Sequence, residues 1–158
     1  MEAERAGFSD IEALTNLRIA YLLADHGALT QEQESAIRGS LPAYFQAHLN
    51  QNLFAFVLRE EDRIVSCAFL LVIEKPMSPA FLNGKTGTVM NVYTCPDCRH
   101  RGYAKKVMQR LMDEAKALDL CTVELKATED GYPLYHALGF ADAPSRYHPM
   151  RWNPFKSS

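Results

Sequence analysis

The clearest apolar periodicity in the chain lies between residues 104 and 118. Ala104, Val107, Met108, Leu111, Met112, Ala115 and Leu118 recur at spacings of three and four, and Lys105, Lys106, Gln109, Arg110, Asp113 and Glu114 fill the other positions. This predicts a long amphipathic helix that begins close to Gly102. Nearer the N-terminus, Ser9-Asp-Ile-Glu12 has the form of a capping box. It predicts a helix whose inner stripe is Ile11, Leu14, Leu17, Tyr21 and Leu22, with Arg18 at the margin, fading near Asp25–Gly27. Thr30-Gln-Glu-Gln33 is a second capping box and predicts a helix to about Arg38. Gly39-Ser40-Leu-Pro42 predicts a break, followed by a third helix carrying Leu41, Tyr44, Phe45 and Leu49 on one side.

Between these helices the pattern shortens. Leu53–Arg59 and Ile64–Glu74 read as strands joined by a charged turn, hence a hairpin. Lys75–Lys85, with Pro76, Pro79 and Gly84, predicts a loop before a strand rich in β-branched residues over Gly87–Thr94. Cys121–Lys126 is another short strand, and the helical crossover before it predicts parallel pairing with Gly87–Thr94. Gly131–Leu138 reads as a short helix ended by Gly139, followed by last strands ending near Trp152. The expectation is a single α/β domain over residues 1–158, without repeat or linker.

Composition sets bounds on this picture. A chain of 158 residues, 47% hydrophobic and 23% charged, can bury a real core. No apolar signal region opens it, and no run approaches the roughly 18 apolar residues that span a bilayer. Four cysteines without a secretion signal lead to the expectation of reduced thiols and a cytoplasmic location. A formal net charge of -2 and the lack of an extended basic stripe argue against nucleic acid as partner.

Within that mildly acidic chain, Arg99, His100, Arg101, Lys105 and Lys106 cluster around Gly102 at the predicted helix start. Free N–H groups, the positive end of the helix dipole and a residue without Cβ together favour a small polyanion. A solvated helix start with ordinary surface cations is the plainer reading. Cys95-Pro-Asp-Cys98, just before it, has the spacing of a redox pair or half a zinc site. No second C-x-x-C or H-x₃₋₅-H supplies further ligands, so no metal is expected.

Arg99-His-Arg-Gly102-Tyr-Ala104 resembles the R/Q-x-x-G-x-G/A signature of the GNAT superfamily of acyl-CoA N-acyltransferases. Pro133-Leu-Tyr-His-Ala-Leu-Gly-Phe140 is similar to the family's L-Y-x-x-x-G-F segment, at the expected distance downstream. The resemblance implies a central mixed, mostly antiparallel sheet with a splayed parallel strand pair, flanked by helices. It implies acetyl-CoA as acyl donor and an amine-bearing acceptor that attacks it directly in a ternary complex. Backbone contacts to the pantetheine arm fall on Val92, Tyr93 and Thr94. Pyrophosphate contacts fall on His100, Arg101, Gly102, Tyr103, Ala104 and Lys105, with Arg99 opening the motif.

In the same resemblance Tyr135 is the general acid for the departing thiolate, against the plainer reading of a tyrosine packed between helix and sheet. Glu74 is the best-placed carboxylate for a general base, although a solvated strand-end glutamate is the plainer reading. Many family members have an asparagine seven residues before that tyrosine; here Thr128 stands there. A non-catalytic acyl-CoA sensor on the same fold and a C-x-x-C redox protein are the competing functions. The acceptor, the acyl-chain preference and the oligomeric state stay open, dimers being common in the family.

Overall fold

The computed structural model describes residues 1–155, which form two compact units, residues 1–126 and residues from 127 onward. The first unit is built on one sheet of five strands: β1 (Glu4–Arg5), β2 (Leu53–Glu60), β3 (Arg63–Glu74), β4 (Lys85–Thr94) and β5 (Thr122–Glu124). Their spatial order follows the chain, β1-β2-β3-β4-β5. Every pairing is antiparallel except β4 with β5, which is parallel. The fold is therefore the mixed, mostly antiparallel α/β arrangement expected.

Strand alternation divides the core between two faces. Leu53, Ala55 and Val57 of β2 join Cys67 and Phe69 of β3 against Leu14 and Leu17 of α1 (Ile11–His26) and Phe45 of α2 (Gln31–His48). The intervening Phe54, Phe56 and Leu58 face the other way, with Val65 and Leu70, and are buried there too. On that side α3 (Tyr103–Ala117) buries Val107, Met108, Leu111 and Ala115, the stripe expected from its periodicity, and the Arg110 guanidinium lies over the Phe56 ring.

Three expectations need correction. The Ser9 capping box does not form. Residues Phe8–Asp10 make one turn of 3-10 helix, and the Asp10 carboxylate accepts from the Gly7 N–H at 3.0 Å. That carboxylate is clamped from 49 residues away by both terminal nitrogens of Arg59, each at 2.9 Å. This bidentate pair fixes Asp10 and sets the helix start at Ile11.

The second correction concerns Pro42, which does not end a helix. α2 runs unbroken from Gln31 to His48 with Pro42 inside it. Ile37, Leu41 and Phe45 continue one inward row through the proline. Arg38, whose carbonyl loses its donor at Pro42, is exposed, so water can satisfy it. The second capping box does form, with Thr30 Oγ1 accepting from Gln33 N–H at 3.1 Å and Gln33 Oε1 from Thr30 N–H at 2.9 Å.

The third correction lies in the second unit, which holds α4 (Tyr132–Ala137) and then residues 138–155 without any strand. Pro144, Pro149 and Pro154 each remove a ladder donor, which explains why the apolar residues around them do not pair. Gly139 ends α4 as expected, at φ 102°, donating to the His136 carbonyl at 3.1 Å.

Candidate active site

The site is set up by an irregularity in β4. Phe69 of β3 pairs with Met90 and Cys67 with Tyr93, so Asn91 and Val92 together face Ala68. This is a β-bulge, and Asn91 takes the left-handed conformation it requires, φ 55°. The Asn91 side chain is buried and locks the bulge. Its Nδ2 donates to Cys67 Sγ at 3.6 Å, and its Oδ1 accepts from the Arg18 guanidinium at 3.3 Å.

On the other side of β4, β5 pairs only with Thr86, Gly87 and Thr88. From Val89 to Thr94 that edge of β4 has no strand beside it among the described residues, a length of about 20 Å at roughly 3.3 Å per residue. The parallel pair is joined at one end and open at the other.

The open end leads directly into the basic turn. A 3-10 turn at Pro96–Cys98 is followed by His100 at φ 65° and Gly102 at φ 80°, both left-handed, and α3 starts at Tyr103. The first hydrogen bond of the helix runs from Lys106 N–H to the Gly102 carbonyl at 3.2 Å, so the amides before it have no helical acceptor. A Cβ at Gly102 would point into open space, with no atom within 4 Å. The backbone there offers a row of amide donors at the positive end of a 15-residue helix, an arrangement that favours an anion.

A sequence profile described as the acetyltransferase (GNAT) family matches residues 14–140. The chain belongs to the GNAT family. Among solved structures it is similar to one described as a predicted acetyltransferase with acetyl-CoA from Clostridium acetobutylicum, 28% identical over 95% of each chain with a TM-score of 0.81. A GCN5-related N-acetyltransferase from Ralstonia eutropha shares the fold at 24% identity, covering 94% of this chain and 97% of that one, with a TM-score of 0.77. A ribosomal-protein-alanine N-acetyltransferase from Brucella melitensis does so at 20% identity, covering 96% and 100%, with a TM-score of 0.69. No curated protein matches the sequence.

As a GNAT protein, the chain places its signature residues in two groups. Val92, Tyr93 and Thr94 lie on the open stretch of β4; His100, Arg101, Gly102, Tyr103, Ala104 and Lys105 form the turn and first helical residues. The basic side chains around the turn fall into two sets. Arg99 Nε donates to the Thr94 carbonyl at 3.0 Å, with its guanidinium over Tyr93, and Lys106 Nζ reaches the Met1 carbonyl at 3.2 Å. Arg101 donates to Glu60 Oε1 and to the Asp97 carbonyl, both at 3.3 Å. These three cations brace the backbone, while His100 and Lys105 are exposed beside the turn.

Sequence reasoning missed the hub of that bracing, Glu60 at the end of β2. It accepts the Tyr103 hydroxyl at 2.7 Å and Arg101 on Oε1, and lies 3.7 Å from Cys98 Sγ on Oε2. Hydrogen bonding to Glu60 pushes the Tyr103 phenol above its ordinary value. Arg63 adds a second tie, a bidentate pair with Asp97 at 2.9 and 3.0 Å that holds the Asp97 carboxyl down at about 2. Glu60 sits 43 residues from Tyr103, and only its strand-end position beside the turn could have signalled it.

Burial, then the charges of Asp97 and Glu60, push the Cys98 thiol up, opposite to what a redox nucleophile needs. Cys95 Sγ points at the Ile64 carbonyl, 3.9 Å away, and both cysteines are free thiols. Cys67 is wholly buried and its thiol is pushed up to about 12. No group of three or more metal-ligating side chains occurs among the described residues, and no helix there is long and apolar enough to cross a membrane.

Tyr135 lies in α4 of the second unit. Its ring meets Phe140 edge-on, centroids 6.2 Å apart. A Cβ on Gly131 would come within 2.9 Å of that ring, so this glycine is what lets Tyr135 lie against the helix start. Thr128 Oγ1 accepts the Gly131 N–H at 3.1 Å and so holds the same turn. Glu74 ends β3, exposed and opposite Lys85. Six residue steps along β4, about 20 Å, take the strand from Lys85 to the Asn91 bulge, and the sheet does not bring Glu74 to it.

Proposed function

We propose that the protein transfers an acetyl group from acetyl-CoA to a primary amine, by direct attack with both substrates bound. The observation that carries this reading is the continuity of the open edge of β4 with the donor-lined turn. An extended amide-containing arm can pair with Val92, Tyr93 and Thr94 as an added strand would. Its diphosphate then reaches the amides of residues 100–105 at the start of α3. The amine nitrogen attacks the thioester carbonyl, the C–S bond breaks, and the acceptor loses a proton to water. Tyr135, assigned on the L-Y-x-x-x-G-F match, gives its proton to the departing sulfur. Glu74 has no part in this reading, because a base must come within hydrogen-bond reach of the amine.

Calorimetric titration with acetyl-CoA tests the donor site, with Gly102→Glu as control. Micromolar binding to the wild type and none to a folded variant is expected, since a side chain at φ 80° is strained and projects where the diphosphate belongs. Equal affinity in both removes the turn from the mechanism. Tyr135→Phe should then lower kcat by about 10²–10⁴-fold while acetyl-CoA affinity holds. An unchanged kcat would withdraw the acid role.

A further inference from the structure

On the face of the sheet away from α3, a cavity of about 360 Å³ opens between α1, α2 and the strands. Its walls are apolar, formed chiefly by Leu41, Phe45, Phe69 and Met90. Met90 immediately precedes the bulge in β4, so the cavity reaches the strand whose far edge is open. Its volume is at the small end for ligand sites, which suits one compact molecule rather than a peptide.

Among the described residues, Arg18 is the one charge lining this cavity. The guanidinium is half-buried, bonded to Asn91 Oδ1 at 3.3 Å and stacked over Tyr21 at 5.8 Å. Among the described residues it forms no ion pair, although eight such pairs occur between other side chains there. A cation drawn out of water into apolar surroundings without a counter-charge is costly unless an anion joins it. None of the described residues lining the cavity is a carboxylate, so a diamine would meet repulsion from Arg18 and no attraction from them.

We propose that this cavity holds the acceptor, an α-amino acid with an apolar side chain whose carboxylate pairs with Arg18. The amine, on the carbon next to that carboxylate, is thereby held beside the β4 bulge. The side chain fills the space between Leu41, Phe45, Phe69 and Met90. The reaction joins the acetyl carbon to the α-nitrogen, releases CoA as thiol and leaves an N-acetyl amino acid. This assignment rests on the acetyl-transfer reading for its chemistry, but the binding itself does not.

Calorimetric titration of the whole protein with L-leucine, leucinamide and 1,5-diaminopentane tests it directly. L-Leucine should bind, and the amide, which lacks the carboxylate, should bind roughly tenfold to a hundredfold more weakly. Arg18→Gln should impose the same loss on L-leucine while leaving acetyl-CoA affinity unchanged. Leu41→Trp, which fills the cavity with Arg18 intact, should abolish L-leucine binding and guards against a misfolded arginine variant. In turnover assays Arg18→Gln should raise KM for L-leucine far more than it lowers kcat. Absence of L-leucine binding, equal binding of leucine and leucinamide, or indifference to Arg18→Gln would each overturn the proposal. Binding of L-leucine through Arg18 by a protein that ignores acetyl-CoA would instead overturn the transfer reading and leave the cavity assignment standing.

Discussion

Asn91 shows how much of a site can hang on one residue. It supplies a left-handed backbone in the middle of a strand, and its amide ties Cys67 on one side to Arg18 on the other. Asn91→Val should cost about 2–3 kcal/mol, because a β-branched residue is strained at φ 55° and two hydrogen bonds go, one buried and one half-buried. At 2–4 °C per kcal/mol, Tm should fall by roughly 4–12 °C. Asn91→Gly tolerates the backbone and should keep acetyl-CoA binding while loosening Arg18. Equal loss of acetyl-CoA affinity in both variants would show that the bulge itself is irrelevant to the donor. Asn91 was legible in principle, since asparagine is depleted in strands. Gly102 was legible as the residue before a helix start, where its left-handed backbone favours glycine. The partnership of Glu60 with Tyr103 was not, as nothing local links residues 43 positions apart.

At the scale of elements, periodicity located β2, β3, β4 and α3 to within a residue or two, because each buries a stripe of matching period. It failed where a long-range contact or solvent overrode a local rule. The Arg59–Asp10 clamp displaced the Ser9 box, and the inward row Ile37, Leu41 and Phe45 carried α2 through Pro42. Two-residue β1 had no period to detect. The proline leaves a testable defect. Pro42→Ala restores a donor for the Arg38 carbonyl, at the loss of the proline's constraint on the unfolded chain. It should stabilise the protein by about 2 kcal/mol, seen as a Tm rise on the order of 5 °C. No rise would mean that the helix is bent there to water's full satisfaction. Glu60→Ala acts on a different junction, unbracing Arg101 and Tyr103. It should weaken acetyl-CoA binding severalfold with α3 still formed by circular dichroism; full retention of affinity would make Glu60 dispensable.

Across the whole molecule, the turn is tied to the sheet by charge, which gives the protein a definite response to acid. The Asp97 carboxyl, ordinarily near 3.8, is held at about 2 by hydrogen bonds from Arg63. A depressed acid stabilises the fold fully above its ordinary value, and that contribution is lost as pH falls from about 4 through 2. Asp10, lowered by Arg59, acts in the same sense. Tm should therefore be level from pH 7 to 5 and decline below 4, more steeply at low salt, since the Arg63–Asp97 pair is exposed. Asp97→Asn should flatten part of the decline. An identical slope in that variant would place the acid sensitivity elsewhere.

The unpaired stretch of β4 has a consequence outside catalysis. A strand edge without a neighbour is an invitation to any other chain able to extend alongside it. The bulge at Asn91 interrupts its regularity and limits that hazard, but Val89, Val92 and Tyr93 still lie along it. Concentrated samples kept without donor should gather into soluble oligomers and then precipitate. Stoichiometric CoA, by lying where a foreign strand would dock, should keep them clear. Handling of this protein on the bench is thus governed by the same row of amides that we assign to its chemistry.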